Sequence, residues 1–361
     1  MTVKELVLPF YLKATLFLIG SFAFLSILYI AQSIIVPLIF ATIIAVVLHP
    51  VVNLFTRMKI NRVIAIIITL FLTFLIIAAF GALLLSQATR FRESWPVLVD
   101  KFTDIIGQTV SLASDYLDIK PQMIHEWLIK SQSELINTGS AAIGKTLVSV
   151  GSGLVILFLV PVYVFMILYY QPLLREFIHR LFHTRNQSQV SKIVSQVKTL
   201  IQRYLLGLVI EFIIVSILNI LALFILGIDY AILLGIIGAL LNVIPYIGGI
   251  VSVVLFIIVA LVTKSPVYVL YVIAAYAFIQ FIDNNFIVPK IVASKVKINA
   301  FFSVIIVIAG NALWGMTGMF LSIPILAIVK LIFDHIDSLK PWGFLLGDTM
   351  PSITKNSTDP E

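Results

Sequence analysis

Cysteine is absent from this chain, and charged residues make up only 11% of it. The lack of cysteine excludes disulfides, cysteine-type zinc sites, iron–sulfur clusters and thiol nucleophiles. A soluble domain carries about 25% charged residues, so this chain has too little polar surface to stay in water when folded. These two shortages exclude a soluble globular enzyme, a disordered chain and a nucleic-acid-binding module.

Histidine is also scarce, and the five histidines are scattered without the paired spacing of metal ligands. No Ser/His/Asp or paired-carboxylate arrangement is evident either. We therefore expect no metal, no cofactor and no enzymatic activity.

Apolar residues are abundant, at 61% of the chain, and the mean hydropathy is +1.12. They form repeated stretches of about 20 residues, long enough to cross a hydrocarbon core of about 30 Å. We predict an all-α integral membrane protein with about six spanning helices in the lipid bilayer. The predicted spans are 14–31, 34–49, 63–85, 147–169, 204–226 and 267–282.

The second of these segments is short, because Pro37 lies in its first turn and Pro50 is expected to end it. It is either a thin, tilted span or one half of a helical hairpin with the first segment.

Two further apolar segments are longer than one span and are interrupted in the middle. Proline removes a helical hydrogen bond and glycine permits the backbone to turn. The first segment, 231–262, is interrupted at 242–249, and the second, 300–333, at 310–318. Ala231, Asn242 and Gly249 each have an identical residue 69 positions later, at Ala300, Asn311 and Gly318. These matches indicate an internal repeat, although chance can supply three matches in so biased a composition.

Basic loops predict the path of the chain, because Lys and Arg favour the cytoplasmic side. If both interrupted segments are re-entrant hairpins, every basic loop falls on that side, together with both termini. The two hairpins then enter from opposite faces as an inverted repeat, the plan of many secondary transporters. The same loop placement explains the net charge of +7 without a nucleic-acid partner.

This path divides the chain into six regions. They are the N-terminal membrane helices (1–85), an extracytoplasmic helical region (86–146), one span (147–169), cytoplasmic basic amphipathic helices (170–203), an inverted-repeat transport core (204–339) and a cytoplasmic tail (340–361).

Glu211 lies well inside an apolar span. A carboxylate there is costly and is a functional hypothesis by default, as a proton or cation site. The alternative is that Glu211 lies near the interface and pairs with a basic loop close to Arg203.

Oxygen-bearing side chains cluster where the span 267–282 is predicted to end. Gln280 lies one helical turn before Asn284, and Asp283 and Asn285 flank it. Such groups at an unwound helix end suit a hard cation or a polyhydroxylated solute. The alternative is an ordinary polar cap followed by a loop.

Gly139 to Thr146 matches the phosphate-binding P-loop pattern letter for letter. That mechanism needs a preceding strand and a separate acid for magnesium. A polar helical region precedes this stretch and a span follows it, so no nucleotide is expected as a partner.

Four stretches together resemble the autoinducer-2 exporter family of bacterial permeases. They are Asn242 to Gly248 (NVIPYIG), Asp283 to Lys290 (DNNFIVPK), Trp314 to Pro324 (WGMTGMFLSIP) and the early segment from Pro37 to Pro50. Asp283 stands where that family usually has Glu, Asn284 where it usually has Gly, and Gly249 where Pro is common.

The resemblance implies a homo-oligomeric transporter of the bacterial inner membrane. Members of the family are credited with export of a quorum-sensing furanone, and others with sodium/proton antiport.

We expect the substrate path to pass between the two interruptions, because broken helices expose backbone groups that only protein, water or solute can satisfy. Its predicted lining is Asn242, Pro245, Tyr246, Gly248, Gly249, Gln280, Asp283, Asn284, Asn285, Asn311, Trp314, Gly315 and Gly318. Glu211 and Asp283 are the candidates for a proton or cation. The expected cargo is a small polar solute, with sodium or protons as coupling ions.

Overall fold

The computed structural model is helical throughout the part of the chain that it describes. The described residues are 9–117, 132–134, 136–138, 141, 154–182, 187–244, 247–292 and 298–349. Among them, six segments are long and apolar enough to cross a membrane: Phe10–Ile30, Gln32–Arg57, Arg62–Gln108, Gln187–Ile225, Pro266–Val292 and Ala300–His335. The predicted all-α, multi-pass membrane fold is confirmed.

The helices follow one another with short connections through most of the described part. In chain order they are α1 (Phe10–Ile30), α2 (Gln32–Arg57), α3 (Arg62–Leu117), α4 (Leu154–Tyr169), α5 (Gln171–Leu181), α6 (Gln187–Ile225), α7 (Ala231–Asn242), α8 (Ile247–Thr263), α9 (Pro266–Ile282), α10 (Ala300–His335) and α11 (Lys340–Leu346). A π-helix, Asp283–Val292, continues α9. The stretch resembling a P-loop lies outside the described residues apart from Ala141.

Two helices continue through positions where the sequence predicts an end. The prediction that Pro50 ends α2 is wrong, since the helix runs on to Arg57 and buries Val52 against Ala65. Membrane helices tolerate proline because neighbouring helices satisfy the freed backbone groups. The expected loop after Ile282 is also wrong as far as Val292, where the chain remains helical with the wider π-helical turn.

Helix α3 runs on from the predicted span, 63–85, to Leu117. The predicted boundary at residue 85 is therefore a change in composition within one continuous helix.

Helix α6 is the central helix of the described core. One of its faces packs against α7 and α9 through Leu223, Leu234 and Val272. Another packs against α2 and α10, where Leu205 and Leu208 join Ile43 and Leu321 in one buried cluster. The polar groups that α6 carries on its buried face are thereby held at the junction of four elements.

Helices α7 and α8 form an antiparallel pair, the first hairpin. Ser252 Oγ lies 3.1 Å from the carbonyl oxygen of Gly238 on α7 and 2.7 Å from that of Gly248 on its own helix. The side chain of Lys264, after α8, lies beside Gly227, before α7. The segment therefore begins and ends at the same end of the bundle.

Helix α10 turns back in the same way and forms the second hairpin. Trp314 and Gly315 leave the helical conformation, and Gly315 has φ +61°. Ser322 Oγ lies 2.9 Å from the carbonyl oxygen of Ile306, whereas a straight helix would separate these residues by about 24 Å.

Both predicted interruptions are thus turns between packed helices. The serine contacts pair Gly248 with Gly318, because each glycine carbonyl lies four residues before the serine that approaches it. This pairing differs by one residue from the predicted match of Gly249 with Gly318. The depth of the turns in the bilayer and the inverted arrangement stay predictions.

Gly318→Ala should destabilise the second hairpin. A methyl group at this position would collide with the carbonyl oxygen of Gly310, a backbone atom that cannot rotate away. We expect a loss of about 1–3 kcal/mol, seen as a lower Tm of the purified protein in detergent. Gly81→Ala is the matched control, since its added methyl group meets nothing within 4 Å. Equal Tm values for the two variants would contradict the close packing.

Candidate functional site

A cavity of about 750 Å³ lies between α6, the first hairpin, α9 with its π-helix, and α10. Its polar lining consists of Tyr204, Glu211, Asn242, Tyr276, Gln280, Asp283, Asn284 and Ser303. The rest of the lining is apolar apart from Gly249. This volume is typical of small-molecule sites, which are about 300–1,000 Å³.

Helical spacing explains how two of the elements present their polar groups. On α6, Tyr204, Leu208 and Glu211 recur at intervals of four and three residues and line the cavity together. Along α9 and into the π-helix, Tyr276, Gln280 and Asp283 repeat the same spacing. Each helix therefore presents one face with at least two polar side chains to the cavity.

The side-chain amide of Asn242 connects the two carboxylates. Asn242 Nδ2 donates to Asp283 Oδ2 at 2.8 Å and makes a longer contact of 3.5 Å with Glu211 Oε1. Both carboxylates are buried, Glu211 with 5% and Asp283 with 2% of its surface exposed. Asn242 is the last residue of α7, so the interruption of the first hairpin places this amide between α6 and the π-helix.

The hydrogen-bonded network continues through α9 to the backbone of the hairpin. Gln280 Nε2 donates to Asn242 Oδ1 at 2.9 Å and lies 2.8 Å from the hydroxyl of Tyr276. The Tyr276 hydroxyl donates to the carbonyl oxygen of Gly249 at 2.8 Å. The acceptor side of the Asn242 amide is thereby used by Gln280, which leaves its donor side for the carboxylates.

Asp283 Oδ1 is buried and has no hydrogen-bond partner within the described structure. An unpaired buried carboxylate oxygen is costly and calls for a donor or a cation. Among the residues that the structure describes, the cavity lining includes two carboxylates and no basic residue. This arrangement attracts a proton, a metal cation or a hydroxyl donor, and it repels anions.

The structure brings six of the predicted residues to this cavity: Glu211, Asn242, Gly249, Gln280, Asp283 and Asn284. Glu211 faces Asn242 and Asp283, not the basic loop near Arg203 that the alternative interpretation requires. Pro245 and Tyr246 lie outside the described residues.

The other predicted residues lie elsewhere. Asn285 is exposed and its amide donates to the carbonyl of Phe281. Gly248 packs against Leu241 inside the first hairpin. The four residues of the second interruption do not line this cavity: Asn311 and Gly315 are exposed, Gly318 packs on Gly310, and Trp314 Nε1 donates to the Leu28 carbonyl of α1 at 3.1 Å.

Sequence reasoning missed Tyr276, Tyr204 and Ser303. A signal for Tyr276 was available, since it lies four residues before Gln280 and seven before Asp283, on one face of the helix. Ser303 gave no such signal, because its place at the cavity depends on how α10 packs against the other elements.

Comparison with known proteins points to one family across nearly the whole chain. A family model described as "AI-2E family transporter" matches residues 16–338. Among curated relatives, "Putative transport protein YrrI" of Bacillus subtilis is 24% identical, over 85% of this chain and 87% of its own length. "Putative transport protein YueF" of the same organism is 23% identical over 88% of both chains. A "Putative transport protein" of Borreliella burgdorferi is 31% identical over 34% of both chains.

Proposed function

Since this chain belongs to the AI-2E transporter family, we propose that it is a secondary transporter that exports a small polar solute through the cavity around Asn242. The coarser function, membrane transport, follows from the family and from the six membrane-length apolar segments among the described residues. The solute, its direction and its coupling ion are the proposal.

The main support for the proposal is the buried network of polar contacts that joins Glu211, Asn242 and Asp283 at the wall of the cavity. Ionisable groups inside a membrane are expensive and mark substrate or ion pathways. Asp283, whose Oδ1 is buried without a partner among the described residues, and Asn284 both line the same space. A neutral solute with several hydroxyl groups can donate to the first and accept from the second.

The autoinducer-2 signal, a polyhydroxylated furanone, fits this chemistry and is the solute that the family name suggests. The two carboxylates oppose an anionic solute, so we exclude phosphorylated and carboxylated compounds from the proposal.

The interruption of the first hairpin supports transport. Helices broken inside a bilayer leave backbone groups that must be buried in protein or face a wet cavity. Gly249, just after this interruption, lines the cavity and its carbonyl is held by Tyr276. We infer that this turn lies near the midplane of a bacterial inner membrane, with both termini in the cytoplasm and with homo-oligomer formation through the exposed apolar faces.

Sodium/proton antiport is the second candidate function. Glu211 and Asp283 both approach the single donor group of Asn242. Two buried carboxylates that share one donor repel each other, and a proton or a sodium ion relieves this repulsion. Alternate occupation by the two cations would couple their movements. A non-transporting scaffold, acting through the region 86–146, is the alternative from another class.

Flux in proteoliposomes tests these functions in one preparation. We expect the protein to release a trapped polyhydroxylated furanone faster than protein-free vesicles do. A sodium gradient that moves protons, read with a pH-sensitive dye, would instead favour the antiporter. If folded protein in the same vesicles produces neither flux, transport is rejected and the scaffold is favoured. Asp229→Asn, in an exposed turn before α7, should behave like the unaltered protein in both assays.

A further inference from the structure

A second cavity, of about 480 Å³, lies between α2, α4, α5 and α6 and shares no lining residue with the first. Its lining includes two cations, Arg175 and Lys198, and two histidines, His49 and His179, but no acidic residue among those that the structure describes. We call it the basic cavity. Nothing in the proposed transport mechanism uses it.

The lining of the basic cavity combines polar and apolar side chains. On α2, α5 and α6 the two kinds are interspersed, whereas α4 contributes an apolar wall through Ile167 and Leu168. Basic side chains beside an apolar wall suit an amphipathic ligand with an anionic group.

The positive charges in this cavity have no negative partner among the described residues. Lys198 Nζ lies 3.0 Å from His49 Nδ1. Because an ammonium group can only donate, Nδ1 must be the acceptor, and the ring keeps an N–H donor at Nε2. The carboxylate on α5, Glu176, is paired with Arg180 at 2.8 Å and does not line the cavity.

Arg62 adds a further positive charge next to the basic cavity. Its guanidinium donates to the Leu168 carbonyl and to Gln171 Oε1, and both Leu168 and Gln171 line the cavity. Three cations thus lie in or beside a space whose described lining contains no carboxylate. Mutual repulsion makes this arrangement costly until an anion enters, so the site favours a ligand with concentrated negative charge.

We propose that the basic cavity binds the phosphate group of an anionic phospholipid, with the acyl chains along the apolar wall. Arg and Lys are the residues that hold phosphate oxygens. Basic pockets between membrane helices on the cytoplasmic side suit such headgroups. The apolar wall on α4 favours a lipid over free phosphate, which would make no favourable contact with that wall.

The test uses the full chain in detergent, titrated with short-chain phosphatidylglycerol, phosphatidylcholine of equal chain length, or inorganic phosphate. Binding is followed as a rise in Tm. We expect phosphatidylglycerol alone to raise Tm. In Arg175→Gln/Lys198→Gln its apparent affinity should fall about fivefold for each charge removed. The control is Lys192→Gln/Arg203→Gln, which removes the same charge from exposed positions on α6 outside the cavity lining.

The outcomes distinguish a bound phospholipid from free phosphate and from general attraction to the surface. Equal loss in the control pair would show attraction to the surface in general and overturn the proposal. A response to inorganic phosphate as strong as that to phosphatidylglycerol would overturn the lipid assignment in favour of a free-anion site. No response to phosphatidylglycerol in the unaltered protein would also overturn it.

Two further variants distinguish loss of charge from loss of the folded structure. The exposed side chain of Arg175 allows Arg175→Gln to be tested alone, where about a fivefold loss is expected. Arg175→Lys/Lys198→Arg keeps both charges and should retain binding of phosphatidylglycerol. Loss of binding in this folded variant would contradict a site based on charge.

Discussion

Asp283→Asn should lower solute flux about 10- to 100-fold while the amount of folded protein stays the same. The change keeps the size of the side chain and removes the negative charge beside the cavity. A hydrogen bond to a charged group contributes about 1.5–3 kcal/mol, which sets the expected range. The measurement is flux in proteoliposomes, normalised to protein that elutes as a single peak in gel filtration.

Stability should move in the opposite direction in this variant. Asp283 Oδ1 is buried without a partner, and Glu211 approaches the same donor as Asp283. Removing one of two neighbouring buried charges relieves their mutual repulsion, so we expect Tm to be unchanged or higher. A residue retained for transport at the expense of stability behaves in this way.

Two controls make the Asp283→Asn result specific. Glu211→Gln removes the other carboxylate and should also reduce flux, since both acids face one amide. Asp229→Asn removes an exposed charge outside the cavity and should leave flux unchanged. Normal flux in Asp283→Asn, with the protein folded, would rule out the cavity as the path.

The fold could be predicted well because its signals are local. Hydropathy alone locates the apolar helices, and the turns of both hairpins coincide with residues that interrupt a helix, such as Gly315. The same local reasoning failed at Pro50, where the neighbouring α3 and α4 pack around the helix and keep it intact. It failed again after Asp283, because the sequence gives no sign that polar residues continue as a π-helix.

The candidate site could be predicted only as separate residues. Each residue was a candidate for a different reason. Glu211 is an acid inside an apolar span, Asn242 lies where a helix is interrupted, and Asp283 belongs to a cluster of oxygen-bearing side chains. That one amide approaches both acids depends on the rotation of α6 and of the π-helix about their axes. Rotation is set by packing, for instance by the close approach of Gly207 on α6 to the Ile291 carbonyl.

The internal repeat predicts that both interruptions line the substrate path, but the second interruption does not line this cavity. Sequence symmetry places Asn311 and Trp314 opposite Asn242 in the substrate path. In the structure, Trp314 is hydrogen-bonded to α1, and α10 contributes Ser303 and Ile323 to the cavity from outside its turn. Both segments form hairpins, but their neighbours differ, and the neighbours determine which polar groups face the cavity.

Asn242→Gln should reduce flux about tenfold with little loss of folded protein. The longer side chain keeps the amide but moves it by one methylene group. It then cannot reach Asp283 Oδ2 and accept from Gln280 with the present geometry. Loss of one such bond to a charged group costs about 1.5 kcal/mol. Asn311→Gln is the matched control, because this exposed residue stands at the corresponding turn and lines no part of the cavity.

A double variant separates a transport role of Asn242 from a purely structural one. If the amide acts by orienting Asp283, Asn242→Gln should have little further effect on flux once Asp283→Asn is present, because residues that act as one unit are not additive. Independent effects would mean that Asn242 contacts the solute by itself. If Asn242→Gln loses folded protein in proportion to flux, the amide only caps α7, and the assignment of the site to this network fails.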